Sequence, residues 1–268
     1  MLKKTKLIEW VKEQIGARNG LPAYLRVNAE GQYVGWVSNL AIELPTDEGE
    51  MKSSLDLKQE KDLFILFALA GAWAHVGSWK NGAYFAAYLL NTNWEIDDWR
   101  DIHFCNEQIS QAKKWLINVA DKVNERGLFL RRDLGDANWR LALAWNDIKE
   151  NLKIAGDDGN WDNFIRYLRT LKIVNCGKKA MNAKAILILR ELRCQGIYPN
   201  IPGRLCCVAD RRVCGFYFQF WKETLPNDKV KASERIYEDW GDLYDMPAFA
   251  LAVNKRTGQR DWDIELPY

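Results

Sequence analysis

Leu171–Val213, reading LKIVNCGKKAMNAKAILILRELRCQGIYPNIPGRLCCVADRRV, is the stretch around which this chain is organised. It closes one apolar run at Val174, turns through Asn175 and Gly177, and opens a second run at Ala180 that continues to Leu192. That is the pattern of two helices joined by a tight hairpin. Asn and Gly tolerate the left-handed backbone such a turn needs. The turn therefore leaves backbone N–H groups facing outward at the start of the second helix, a surface that suits a phosphate. Lys179 stands at the start of that helix, and Asp210 follows 31 positions later. Asp210 precedes Arg211-Arg-Val213, so it is placed to cap the next helix by accepting its free N–H groups.

Charge concentrates on the same stretch. The whole chain carries a formal +2, yet between Arg166 and Arg212 eleven Lys and Arg stand against Glu191 and Asp210 alone. The local charge of +9 leaves −7 for the remainder. A basic face on the hairpin of a nearly neutral chain is what contact with a DNA backbone requires. Without the hairpin, the same charges read equally well as a solvated helix face.

Working outward, the chain reads as mainly helical. Leu7, Ile8, Val11 and Ile15 have helical spacing, and Lys61 to Ala74 is so apolar that it reads as a buried helix. Trp79 to Leu90 forms an amphipathic helix, and Ile109, Ala112, Leu116, Val119 and Val123 form the stripe of another. Asp136 to Leu152, Trp161 to Leu171, Val213 to Trp221, and Lys231 to Tyr244 complete the set, with Asp245-Met-Pro247 as an interruption before Ala248 to Val253. One small β-hairpin is expected near the N-terminus, Tyr24–Val27 and Tyr33–Val37 around Asn28-Ala-Glu-Gly31. Thr46 to Ser54 reads as an acidic loop.

Composition narrows the class further. A chain of 268 residues, 48% hydrophobic and 28% charged, is an ordinary globular composition. Glu9 interrupts the apolar run that a secretory signal would need, and the longest apolar run, Leu63 to Ala74, falls short of the roughly 20 residues that span a bilayer. A cytoplasmic protein with no membrane partner is expected, nucleoid-associated if its source is prokaryotic. The six Cys then read as reduced thiols. Cys194, Cys206, Cys207 and Cys214 match no zinc spacing, so no metal or other cofactor is expected. Thirteen Trp are core and interface material first, and stacking surfaces for bases second.

The hairpin and the segment after it resemble the helix-hairpin-helix DNA glycosylase superfamily. In its bifunctional members the hairpin reads apolar-Gly-apolar-Gly-x-Lys and is followed by an apolar-Asp pair opening a helix. Val174-Asn175-Cys176-Gly177-Lys178-Lys179 and Val208-Ala209-Asp210-Arg211-Arg212-Val213 occupy those two patterns, with Asn175 in place of the first glycine. The long gap between Lys and Asp is most similar to the archaeal 8-oxoguanine DNA glycosylase branch. Leu128-Phe-Leu-Arg-Arg132, Tyr198-Pro-Asn-Ile-Pro202 and the pair around Trp73 to Leu89 extend the likeness over Leu63 to Trp240. The resemblance implies two helical subdomains with a DNA- and base-binding cleft between them. These are residues 1–125 completed by 229–268, and residues 126–228 bearing the helix-hairpin-helix motif. The iron-sulfur cluster of endonuclease III relatives is not expected, because only Cys214 follows Asp210.

By that resemblance Lys179 is the nucleophile and Asp210 the carboxylate of a DNA-repair enzyme that acts on damaged DNA as a monomer. Breaking a bond at a sugar carbon develops positive charge on the sugar, which a carboxylate stabilises. An amine is useful only when neutral, and a helix N-terminus beside Lys178 disfavours the ammonium form. The imine formed with the opened sugar permits β-elimination, so a lyase step accompanies base excision. Lys178 is the alternative nucleophile. Asn175, Gly177, Lys178, Lys184, Arg211 and Arg212 are the DNA contacts, Lys184 as a phosphate contact on the helix surface. An extruded base needs aromatic walls, for which Trp79, Tyr84, Phe85, Phe216 and Trp221 are candidates, each also readable as core. Met246 to Arg256 offers no clear acid or indole, which leaves the base open. Two other readings compete: a helix-hairpin-helix protein that grips DNA without cutting it, and a Trp-rich helical interaction protein.

Overall fold

Apolar residues recur at helical spacing along most of the chain, and helices form wherever they do. The structure, a computed structural model, describes residues 4–22, 24–36, 54–73, 79–122, 130, 134–171, 178–254 and 258–267, with the backbone alone for 71–73, 79–81, 120–122 and 178–183. Among these residues the protein is mainly helical and contains no strand. No described helix is long and apolar enough to cross a membrane. Two compact units are formed, one from residues 1–36 and 189–268 and the other from residues 37–188. The division expected from sequence, 1–125 with 229–268 against 126–228, does not follow these units.

In the unit of residues 37–188, α2 (Glu60–Trp73) buries every described side chain from Phe64 to Ala70. α3 (Trp79–Leu90) is buried from Ala83 to Leu89. A 3-10 turn at Ile96–Arg100 leads into α4 (Ile102–Lys122), whose stripe of Ile109, Ala112, Leu116 and Val119 faces inward. Val123 lies outside the described residues. The helix expected over Asp136 to Leu152 is instead two, α5 (Leu134–Leu143) and α6 (Trp145–Asp158). The break at Ala144 (φ −90°, ψ 0°) lets the second helix begin on Trp145. That indole packs edge-on to Phe64 and Phe67 at 5.1 and 5.5 Å and donates to Glu60 Oε1 at 2.9 Å. Gly159, at φ +70°, ends α6, a conformation glycine adopts without a Cβ clash. Asn160 then caps α7 (Trp161–Thr170), accepting from the Asn163 N–H.

In the other unit, α1 (Lys4–Gly16) buries Leu7, Val11 and Ile15. The expected hairpin shrinks to one antiparallel bridge, Val27 to Tyr33, closed by Asn28 and Gln32. Its second arm stops because Gly35 (φ +86°) bends the backbone against α8 (Lys178–Cys194). A Cβ at Gly35 would lie 2.8 Å from the Glu191 carboxylate, and the next N–H, of Trp36, donates to that carboxylate at 3.0 Å. After a 3-10 turn at Gly203–Leu205 come α9 (Arg211–Phe216), a π turn at Tyr217–Trp221, α10 (Lys229–Trp240) and α11 (Met246–Leu251). Pro247 sits in the first turn of α11, where its missing N–H has no helical partner to lose. It starts a helix rather than interrupting one.

Candidate active site around Asp210

Asp210 holds the position its sequence context predicted. It is extended (φ −81°, ψ −177°), and Oδ1 accepts the N–H groups of Arg212 and Val213, each at 2.8 Å. This uses one carboxylate oxygen for the cap; Oδ2 receives no donor among the described residues. Burial, with the Asp245 carboxylate adding to it, pushes the Asp210 carboxyl up to about 6, against the pull of the two N–H groups and Arg212. The group is thus mostly ionised at pH 7 but holds its proton far more firmly than a free aspartate.

The peptides leading to Asp210 are pinned from two sides. The Val208 N–H donates to Asp245 Oδ1 at 2.8 Å, and the Lys229 ammonium donates to the Ala209 carbonyl. Asp245 is itself gripped by Arg190 Nη1 at 2.7 Å, while Arg190 Nε reaches Glu191 Oε1 at 3.2 Å. All three side chains are essentially inaccessible. Neither Asp245 nor Lys229 was singled out by sequence. One reads locally as part of a proline break, the other as the first residue after the cap Asp228.

The lysines of the hairpin are described only in part. Lys178 and Lys179 form the first turn of α8, which places both at the helix start expected for them. Asn175 and Gly177 lie outside the described residues. The helix expected over Trp161 to Leu171 ends at Thr170: the Thr170 hydroxyl donates to the Tyr167 carbonyl and Leu171 is extended (ψ 126°). Lys178 and Lys179 fall in the unit of residues 37–188, and Asp210 in the other.

Several expected contacts are corrected. Lys184 is buried, 6% exposed, so it is not a helix-surface phosphate contact. Arg212 is engaged within the protein: it pairs with Asp261 at 2.7 Å, donates to the Ala252 carbonyl at 3.2 Å and lies over the Phe249 ring at 4.3 Å. Arg211 is exposed, as a backbone-binding residue should be. Of the aromatic candidates, Phe85 and Phe216 are fully buried and Tyr84 nearly so. Phe216 stacks on Phe220 at 4.6 Å and meets Trp221 edge-on at 5.0 Å, while Trp221 stacks on Trp240 at 5.9 Å. Tyr84, Phe85 and Phe216 are core, as large aromatics usually are, and Trp221 is half-buried in the same cluster as Phe216. The side chain of Trp79 is not among those described.

Other ionic contacts draw further on the basic stretch. Arg193 pairs with Asp242 at 2.9 Å and donates to the Tyr244 hydroxyl at 2.7 Å, and Arg204 pairs with Glu234 at 2.8 Å. The +9 segment is therefore partly internal glue. Comparison of the chain with protein-family models, with curated proteins and with solved structures finds no match.

Proposed function

We propose that this protein is a DNA-repair glycosylase with AP lyase activity, excising an oxidised purine, 8-oxoguanine, through a lysine Schiff base. The observation that carries the reading is the build of Asp210: a helix-capping carboxylate with one oxygen unclaimed and its proton affinity raised to about 6 by burial. A carboxylate tuned toward neutrality and held by a rigid cap is a group prepared for charge or proton chemistry rather than for solvation. The superfamily resemblance supplies its partner, Lys179, in the first turn of α8.

In this reading the glycosidic bond breaks with its electron pair leaving on the base, which takes up a proton. Asp210 faces the positive charge developing on the sugar. The amine of Lys179 bonds to C1′, the ring opens to an imine, and loss of a C2′ proton expels the 3′ phosphate by β-elimination. Water then frees the lysine. Asp210 acts as an anion, so base release falls as pH drops through about 6.

Borohydride trapping on an 8-oxoguanine duplex tests the assignment. Wild type should give a covalent adduct that Lys179→Gln abolishes and Lys229→Met retains, since the Lys229 amine is bound to a backbone carbonyl. An adduct that survives Lys179→Gln and is lost in Lys178→Gln moves the nucleophile by one residue. DNA binding with neither adduct nor base release rejects the enzyme and leaves a DNA-gripping protein.

A further inference from the structure

The sequence after Asp210, RRVCGFYFQFWK (Arg211–Lys222), folds as α9 and, without a break, a π turn that ends on Lys222 in the left-handed region (φ +58°). Its inner side is closed by Val213, Phe216 and Tyr217. Its outer side shows Arg211, Gly215, Phe218, Gln219 and Lys222 to solvent. Phe218 is 61% exposed, more than any other large hydrophobic residue among those described. The neighbouring rings of Phe216, Tyr217, Phe220 and Trp221 all pack on one another. Among the described residues, the one ring or cation contact of Phe218 is with the Lys222 ammonium, 5.6 Å from its centroid.

Two local features accompany this exposure. A π turn inserts a residue into the helical register and is frequent where a side chain must be re-aimed for function. A lysine at positive φ is likewise uncommon for a residue with a Cβ. One turn before Phe218, a Cβ at Gly215 would meet nothing within 4 Å, so the surface beside the ring is flat and open.

The carboxylates that touch or adjoin this segment are already paired. Glu223 and Asp239 are taken up by Lys4 and Arg235, and Asp261 by Arg212. Arg211 forms no ion pair among the described residues, and Lys222 reaches only the Gln219 carbonyl at 3.5 Å. Eleven positions separate Arg211 from Lys222, a helical rise of roughly 16 Å along the backbone, and a strand covers such a length with several nucleotides at about 3.4 Å or more each. An exposed apolar ring with a flat margin and an uncompensated cation on each side is complementary to an unpaired strand, whose bases have π faces and whose links are anionic.

We infer that the outer face of Arg211–Lys222 binds an unstacked DNA strand, one base stacking on Phe218 while Arg211 and Lys222 hold phosphates to either side. The identification of the strand as DNA rests on the proposed function; the contact itself requires neither Lys179 nor Asp210.

The test is fluorescence anisotropy of the full chain with labelled, undamaged oligodeoxythymidine across a salt series. Phe218→Ser should weaken binding about 5- to 150-fold, the equivalent of about 1–3 kcal/mol of stacking on one base. Phe218→Trp should bind at least as tightly as wild type. Arg211→Gln with Lys222→Gln should flatten the salt slope by about 1.4, two single-strand phosphate contacts. All three changes are at exposed positions, and far-UV circular dichroism checks that the fold is kept. Unchanged affinity in Phe218→Ser overturns the inference, even where base release persists and the glycosylase reading stands. Loss of affinity in Phe218→Ser from a wild type that binds but releases no base upholds the inference and rejects the enzyme. Loss of a concentration-dependent self-association in Phe218→Ser, with DNA affinity intact, reassigns the face to a protein contact.

Discussion

Replacing Arg190 with methionine should loosen the backbone that carries Asp210. The guanidinium is 4% exposed and bridges two carboxylates, Asp245 (2.7 Å) and Glu191 (3.2 Å), that are 5% and 0% exposed. It also lies 5.5 Å from the Tyr33 ring. Burial opposes its charge, but Asp245, Tyr33 and Glu191 more than offset this and hold the proton on. Methionine keeps most of the packing volume, so the loss is chiefly electrostatic: two carboxylates stay in the interior without their cation. Breaking a buried pair in this way costs about 3–5 kcal/mol. The same change at Arg193, whose side chain and Asp242 partner are 23% and 38% exposed, should cost about 1 kcal/mol or less. Lysine at 190 should fall between, since a point charge cannot reach both carboxylates as the planar fork does.

Amide hydrogen exchange reads this locally. The Val208 and Trp36 N–H groups donate to Asp245 and Glu191 themselves. Both should exchange two to four orders of magnitude faster in Arg190→Met, at about 1.36 kcal/mol per decade. The Ile148 N–H, bonded to Ala144 in the other unit, serves as the reference. Acceleration of less than tenfold at both reporters would refute the reasoning, because the carboxylates would then have found other partners. Val208 is two residues before Asp210, so on the proposed function base release should fall in this variant under conditions where the protein is still folded.

Two further outcomes rest on the same geometry. Asp210 holds its proton up to about pH 6 in the folded state and about 3.9 unfolded. The stability this lends is therefore full below about pH 4 and is lost as pH rises through about 6. Asn caps a helix about as well as Asp, so the melting temperature of Asp210→Asn relative to wild type should climb between pH 4 and pH 7; a flat difference would contradict the raised value. At Gly203 a Cβ would come within 2.4 to 2.6 Å of three atoms of the Tyr237 ring. Gly203→Ala should therefore cost about 1–3 kcal/mol by urea unfolding, and Tyr237→Ala in the same chain should recover most of it, whereas additive losses would disprove the clash.

Much of this architecture could be read locally. Leu7, Val11 and Ile15 on α1, and Ile109, Ala112, Leu116 and Val119 on α4, announce their buried faces by spacing alone. The Asp210 cap could be read too, because a short acceptor before Arg-Arg-Val is a signal contained within four residues. Features set by distant contacts could not. The kink at Ala144 exists because Trp145 is drawn onto Phe64 and Phe67, some 80 residues away. The short hairpin ends where Gly35 meets Glu191. The surroundings of the expected pocket aromatics were hidden for the same reason: Phe216 and Trp221 resemble stacking residues in isolation, but Phe220 and Trp240 pack on them. The exposed ring of that segment is Phe218, two residues from Phe216 and so about 200° around the helix from it.

Counting charge along the chain misled in the same direction, and the excess can be measured. If all eleven cations of Arg166–Arg212 met phosphates, the affinity for duplex DNA would fall with salt at a log–log slope of about −10. Five of them are otherwise occupied: Lys184 is buried, Arg190 is locked between Asp245 and Glu191, Arg193 holds Asp242 and Tyr244, Arg204 holds Glu234, and Arg212 holds Asp261. Their partners lie up to 55 positions away, beyond the reach of any local count. The six that remain predict a slope of about −5. A slope near −10 would mean that the internal ion pairs open on binding, and the basic stretch would then be a DNA surface that the free protein folds in upon itself. Near −5, those five cations belong to the fold, and backbone contact falls to Arg211 and the exposed arginines of α7, Arg166 and Arg169, together with the lysines of the hairpin.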